Sequence, residues 1–82
     1  MKAKIHIMLK DGVLDPQGSA VKKALANLEY RGIAEVRFGK YLEITLEGNE
    51  LSRAGSEVDR MCREFLANPV LENYAYELEV IE

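Results

Sequence analysis

The chain has 82 residues, of which 11 are Lys or Arg and 14 are Asp or Glu, and its net charge is -3. This balance argues against a nucleic-acid partner, because nucleic acids require a clustered basic face. No apolar run approaches the length of a membrane span, so we expect neither a membrane partner nor a secretory signal. One cysteine, Cys62, cannot form an internal disulfide, and we therefore expect a cytoplasmic location.

Apolar residues make up 48% of the sequence, which is enough for one small core. Residues 1–82 are therefore predicted to form a single domain, and oligomerisation would help to stabilise a domain of this size. Apolar and polar residues alternate over residues 3–9, which predicts a first strand that is buried on one side. Its apolar side consists of Ala3, Ile5, Ile7 and Leu9.

A first helix is predicted next, because apolar residues recur at a spacing of three and four. These residues are Val21, Ala24, Leu25 and Leu28. Asp15 is predicted to cap the first turn, and Pro16 suits the first helical position because its missing N–H costs nothing there. Gly18 weakens a first turn, which suggests that another backbone or a partner comes close to it. Gly32 occupies the usual position of a glycine that ends a helix.

The segment from Ile33 to Gly48 is open to two interpretations. Its apolar residues keep one parity across Gly39, which favours a single long strand that bends at this glycine. Alternatively, Gly39 and Lys40 form a two-residue hairpin turn between two strands. We prefer the long bent strand, and we expect its excess length to pair with a second copy of the chain in a homodimer.

Asn49 is predicted to cap a second amphipathic helix, which runs to about Asn68 and is ended by Pro69. Alternation over residues 74–80 predicts a closing strand. The order strand, helix, long strand, helix, strand indicates an α+β fold, a two-layer α/β sandwich with strands shared across a homodimer. Both helices are expected to cover one sheet face, while the opposite face is polar and solvated.

Residue chemistry indicates no catalytic, cofactor-binding or metal site. His6 lies on the polar side of a strand, with no nucleophile near it in the sequence. Cys62 lies on the apolar side of the second helix near its C-terminal end, where the helix dipole opposes a thiolate. The glycines lack the spacing of a phosphate-binding loop. We therefore expect no catalysis by this chain alone.

Three stretches of the chain resemble the PurS-type small subunit of phosphoribosylformylglycinamidine synthase. They are GVLDPQGSAVKKAL at 12–25, VRFGKYLEITLE at 36–47 and CREFLANPVLENY at 62–74. The resemblance covers essentially the whole chain and implies a small α/β protein that dimerises. It also implies a non-catalytic, cytoplasmic role in a glutamine-hydrolysing ligase complex of purine (IMP) biosynthesis. The small subunit would help to assemble a glutaminase with a large synthetase, which uses ATP and magnesium, and would support ammonia transfer between them.

The family-matching residues that a minimal core does not need are candidates for a partner or dimer interface. They are Asp15, Gln17, Gly18, Gly39, Lys40, Tyr41, Asn68 and Pro69. Each also has a local structural explanation, as part of a helix cap, a strand bend or a helix stop. The main alternative is a ferredoxin-like or ACT-type regulatory domain that binds an amino acid between protomers. That alternative requires the hairpin at Gly39 and Lys40.

Overall fold

A computed structural model describes residues 1–80 of the chain. In chain order the elements are β1 (Lys2–Leu9), α1 (Pro16–Asn27), β2 (Gly39–Thr45), α2 (Leu51–Met61) and β3 (Glu72–Glu79). A π-helical turn, Cys62–Leu66, prolongs α2. The predicted α+β class and the predicted order of strands and helices are confirmed.

The three strands form one antiparallel sheet in the order β2-β1-β3, with β1 in the centre. β2 pairs with β1 in an unbroken register from Gly39 opposite Met8 to Thr45 opposite Lys2. Gly39 therefore begins a strand, and the hairpin alternative is wrong. The ferredoxin-like alternative is wrong with it, because that fold needs four strands and residues 1–80 form three.

The core lies between the sheet and α2. Ile5 and Ile7 of β1 point into it, and Val58 and Cys62 cover them from the helix side. Half-buried apolar residues of the two outer strands and the residue after β2 complete this layer, namely Leu42, Ile44, Leu46, Tyr74, Tyr76 and Leu78. The opposite sheet face carries His6 and the ion pair between Lys4 and Glu79 (2.7 Å), so the predicted polar face is confirmed.

Both helices have ends that differ from the predicted ones. α1 ends at Asn27 because Glu29 adopts the left-handed conformation that stops it (φ 69°), whereas Gly32, which also has a positive φ (82°), lies beyond the helix end. The N–H groups of Glu29 and Tyr30 then donate to the carbonyls of Ala26 and Leu25, which is the usual closure of a helix end. α2 begins at Leu51, because the chain is still extended at Glu50, and Asn49 is therefore not its cap.

α1 does not lie on the sheet, and this corrects the expectation that both helices cover it. It lies beside residues 33–38, where the Lys22 ammonium donates to the carbonyl of Ala34 (2.8 Å). Residues 33–38 pair with no strand in the described part of the chain, so the ladder of the predicted long strand starts only at Gly39. We call residues 16–38 the arm. Its projection gives the molecule extents of 49 × 30 × 15 Å.

The buried position of Val58 can be tested against an exposed valine. Val58→Ala removes two methyl groups from a fully buried site, and we expect it to lower the free energy of unfolding by about 2 kcal/mol. Val70 is 76% exposed, so Val70→Ala is the matched control and should change stability by less than about 0.5 kcal/mol. Chemical denaturation at one fixed protein concentration measures both values. Equal effects would contradict this description of the core.

Candidate functional site

Most of the candidate residues meet at one end of the sheet, although they come from three separate segments. β1 ends there at Leu9, and both of its antiparallel neighbours begin there, β2 at Gly39 and β3 at Glu72. The start of α1 lies at the same end. We call this region the joint, and it consists of residues 9–18, 35–40 and 68–72.

Asp15 links two parts of the joint. One carboxylate oxygen accepts the N–H of Gly18 (2.9 Å) and thereby caps α1, as predicted. The other oxygen accepts the N–H of Phe38 (2.8 Å), directly before β2. The N–H of Gly18, and next that of Phe38, hold the pKa of the Asp15 carboxyl below its ordinary value. The carboxylate thus joins the two ends of the arm through hydrogen bonds to Gly18 and Phe38.

Gly18 is the point at which the returning chain crosses α1. A Cβ atom at this position would overlap the carbonyl oxygen of Val36. The prediction that another backbone comes close to Gly18 is therefore confirmed, and this backbone belongs to the same chain. Close approach is a use of glycine that no other residue can replace.

Arg37 was missed by the sequence reasoning, which placed it among the polar residues of a strand. Its guanidinium donates to the carbonyls of Leu9 and Lys10 and to the carboxylate of Asp11 (3.0 Å). Its partners lie more than 25 residues upstream, so no local pattern could reveal them. Arg37 ties the incoming end of β2 to the loop that leaves β1.

Gly39 and Lys40 begin β2 next to these contacts. A Cβ atom on Gly39 would overlap the backbone carbonyl oxygen of Ile7 as well as the side chain of Met8, which explains why glycine occupies this position. The Lys40 ammonium lies 3.8 Å from a carboxylate oxygen of Glu72, at the start of β3. Lys40, Gly39, Asp15 and Gln17 line one groove of about 200 Å³.

Asn68 joins the same region through Glu72, a second residue that the sequence reasoning missed. The Glu72 carboxylate accepts the N–H of Asn68 (2.8 Å), and the Asn68 side chain accepts the N–H of Val70 (3.0 Å). Pro69 is exposed in the turn between them. The N–H of Lys10 donates to the carbonyl of Leu71 (2.8 Å), which holds this turn against the end of β1.

Tyr41 is the one candidate that the structure places elsewhere. Consecutive strand residues point to opposite faces, so Tyr41 lies on the sheet face away from Lys40. Its ring stacks at a tilt on His6, with 4.7 Å between the centroids, and its hydroxyl donates to Glu43 (2.9 Å). The candidate residues thus divide between the joint and the open sheet face.

The groups that could react are not assembled into a catalytic centre in the described part of the chain. Cys62 is buried, and burial raises the pKa of its thiol, with a smaller contribution from the charge of Asp59. Among residues 1–80, no three His, Cys, Asp or Glu side chains are grouped in a way that could hold a metal ion. None of the helices in that range has the length and apolar character to span a membrane.

The sequence profile of the PurS family, phosphoribosylformylglycinamidine (FGAM) synthase, matches residues 2–80. The chain belongs to the PurS family. The family indicated by the three sequence stretches is therefore confirmed.

Similar proteins include the PurS subunit of FGAM synthase from Bacillus subtilis, which is 45% identical over 80 residues, 98% of this chain and 94% of that protein. Among solved structures, Methanocaldococcus jannaschii PurS is 40% identical with a TM-score of 0.87, over 99% of this chain and 98% of that one. A chain in the structure of PurLQS from Thermotoga maritima is 28% identical with a TM-score of 0.84, over 93% of each chain.

The crossing at Gly18 gives a direct test of the joint of this PurS-family chain. Gly18→Ala should lower the free energy of unfolding by about 2 kcal/mol, because its Cβ displaces the backbone at Val36. Gly55→Ala is the matched control, since a Cβ there meets only Leu78 at 3.6 Å and should raise stability by about 0.5 kcal/mol. Chemical denaturation of the two variants and the parent chain measures the difference. A neutral or stabilising Gly18→Ala would refute the crossing.

Proposed function

We propose that the chain is the small, non-catalytic subunit of an FGAM synthase, in which it joins a glutaminase to a large synthetase. Membership of the PurS family supports this role, and so does the PurLQS structure, in which the related Thermotoga maritima chain occurs. The observation that carries the assembly role is the convergence of family-matching residues at the joint. These residues form a surface and not a reactive centre. ATP and magnesium accordingly belong to the synthetase subunit.

Support of ammonia transfer fits this arrangement. Ammonia that passes between two active sites must be kept from water, which would protonate it. A subunit that closes the contact between two partners can serve this purpose without a catalytic group of its own. A cytoplasmic location agrees with the single buried cysteine, which suits a reducing compartment.

The joint is the surface that we assign to a partner subunit. Besides the candidate residues, its segments expose the apolar side chains of Leu14 (79% exposed), Val70, Leu71 and Phe38. Exposed apolar groups next to fixed polar groups are the usual composition of a protein–protein interface. Lys40 and Gln17 lie among them, and they supply the polar contacts of such an interface.

A second copy of the chain is the partner that we assign to the arm. The radius of gyration is 16.4 Å, whereas a compact domain of this length is expected near about 12 Å. α1 lies beside a backbone segment that pairs with no strand among the described residues, and Leu28, which directly follows α1, is 70% exposed. Unpaired backbone and exposed apolar residues of this kind are covered when a second chain adds a strand. The homodimer is therefore built through residues 16–38.

Coexpression with the glutaminase and synthetase subunits of the same organism tests the joint. Lys40→Glu reverses the charge beside Glu72 and should reduce recovery of at least one partner in a pull-down by roughly tenfold. Arg60→Glu makes the same change in charge at an equally exposed position on α2 and should recover both partners.

Tyr41→Ala in the same assay tests the opposite face of the sheet. If Tyr41→Ala loses a partner while Lys40→Glu keeps both, the partner surface is the open sheet face and not the joint. If every variant recovers both partners, neither candidate group takes part in assembly.

Sedimentation equilibrium of the isolated chain tests the homodimer. We expect a dimer at micromolar concentration, and Leu28→Glu should shift the equilibrium towards monomer because it places a charge on the apolar side of the arm. Leu51→Glu makes the same substitution at an exposed position of α2 and should leave the dimer intact. Only monomer in the parent chain would overturn the assignment.

A further inference from the structure

The arm is connected to the sheet by two stretches of chain that pass each other at the joint. The outgoing stretch, residues 10–15, leads from β1 to α1, and the returning stretch, residues 35–38, leads into β2. Each stretch sends one charged side chain to the backbone of the other. Asp15 accepts the N–H of Phe38, and Arg37 donates to the carbonyls of Leu9 and Lys10.

Neither stretch needs these two contacts to form its own local structure. A helix cap needs one side-chain oxygen, and Ser or Asn would provide it for Gly18. The second oxygen of Asp15 is free to bind the returning stretch, which a serine hydroxyl at that position cannot do as well. Arg37 lies in a protruding segment, yet its side chain is only 22% exposed because the outgoing loop surrounds it. Its planar fork, unlike an ammonium, can serve several acceptors at once.

We propose that Asp15 and Arg37 are positioning residues that hold the arm in one direction for the binding of a second copy of the chain. This inference rests on the homodimer proposed above. A surface that is held in its bound direction before association loses less conformational freedom on binding, and this raises affinity without any new contact.

Substitutions at Asp15 separate the helix cap from the link to Phe38. Asp15→Ala removes both, whereas Asp15→Ser keeps the cap and removes the link. Far-UV circular dichroism should show the helix content restored by Asp15→Ser. The dissociation constant from sedimentation equilibrium should stay raised by roughly tenfold or more in both variants. If Asp15 serves only as a cap, Asp15→Ser will recover the affinity of the parent chain, and that result overturns the proposal.

Arg37→Lys keeps the charge and removes the planar fork, so it should also weaken self-association by roughly tenfold. Arg60→Lys on α2 is the matched control, because Arg60 makes one exposed ion pair, with Glu64. The self-association affinity of this variant should equal that of the parent chain. A parent chain that is monomeric would refute the homodimer. A dimeric parent with unaffected Asp15→Ser and Arg37→Lys variants would refute the positioning role alone.

Amide hydrogen exchange of the parent chain gives a test that does not depend on how the variants fold. Phe38 precedes β2, and its N–H has the Asp15 carboxylate as its acceptor. We expect this amide to exchange at least tenfold more slowly than an open loop amide such as that of Gly12. Equally fast exchange at Phe38 and Gly12 would show that the link does not hold in solution, and it would overturn the proposal.

Discussion

The contact between β1 and α2 is the interaction on which the rest of the structure depends. β1 pairs with both other strands, and Ile5 and Ile7 are covered by Val58 and Cys62 of the helix layer. α2 lies on the apolar face of the three-stranded sheet, and the opposite face is polar. α1 finds no further sheet surface, and the chain places it on the arm instead. The unusual length of the molecule thus follows from the small size of its core.

The joint fixes the long arm to the small core. A helix and one extended segment make few contacts, so their direction relative to the sheet must be set by specific bonds. The carboxylate of Asp15, the guanidinium of Arg37 and the close crossing at Gly18 provide these bonds within one short region. Taken singly, each of these residues resembles part of an ordinary helix cap or turn. Together they hold the arm in one direction relative to the sheet. The candidate residues of the joint therefore have a structural role in the fold of this chain itself.

The sequence predicted those parts of this arrangement that depend on local chemistry. Asp15 as cap, Pro16 as first helical residue and a close neighbour at Gly18 each follow from the backbone needs of a helix start. The sequence could not show that this neighbour is Val36, because Val36 lies 18 residues further along the chain and only the fold brings it back to Gly18. Arg37 was missed for the same reason, since the groups that it binds are distant in sequence. The same holds for the contact of Glu72 with Lys40, whereas its bond with the N–H of Asn68 spans only four residues.

The prediction that α1 covers the sheet was wrong for a different physical reason. Apolar spacing shows that a helix has a face to bury, but it does not show what buries it. In the structure Val21 and Leu25 are only half-buried and Ala24 and Leu28 are exposed, so this face of α1 is covered incompletely. The parity of residues 33–46 was a better guide, because it favoured one continuous strand over the hairpin. The register of β2 then excluded the hairpin and left residues 33–38 without a strand partner among the described residues. That missing partner, which no pattern within one chain can supply, is the strongest physical argument for a second copy.

Lys40 and Tyr41 show how one short strand can serve more than one contact. They are adjacent in sequence, yet the strand pleat directs them to opposite faces of the sheet. Lys40 faces the joint beside Glu72, and Tyr41 faces the open side beside His6. The proposed contacts with other subunits and with a second copy require several surfaces on a very small body. The joint, the arm and the open sheet face are the candidates, and β2 contributes to two of them within two residues.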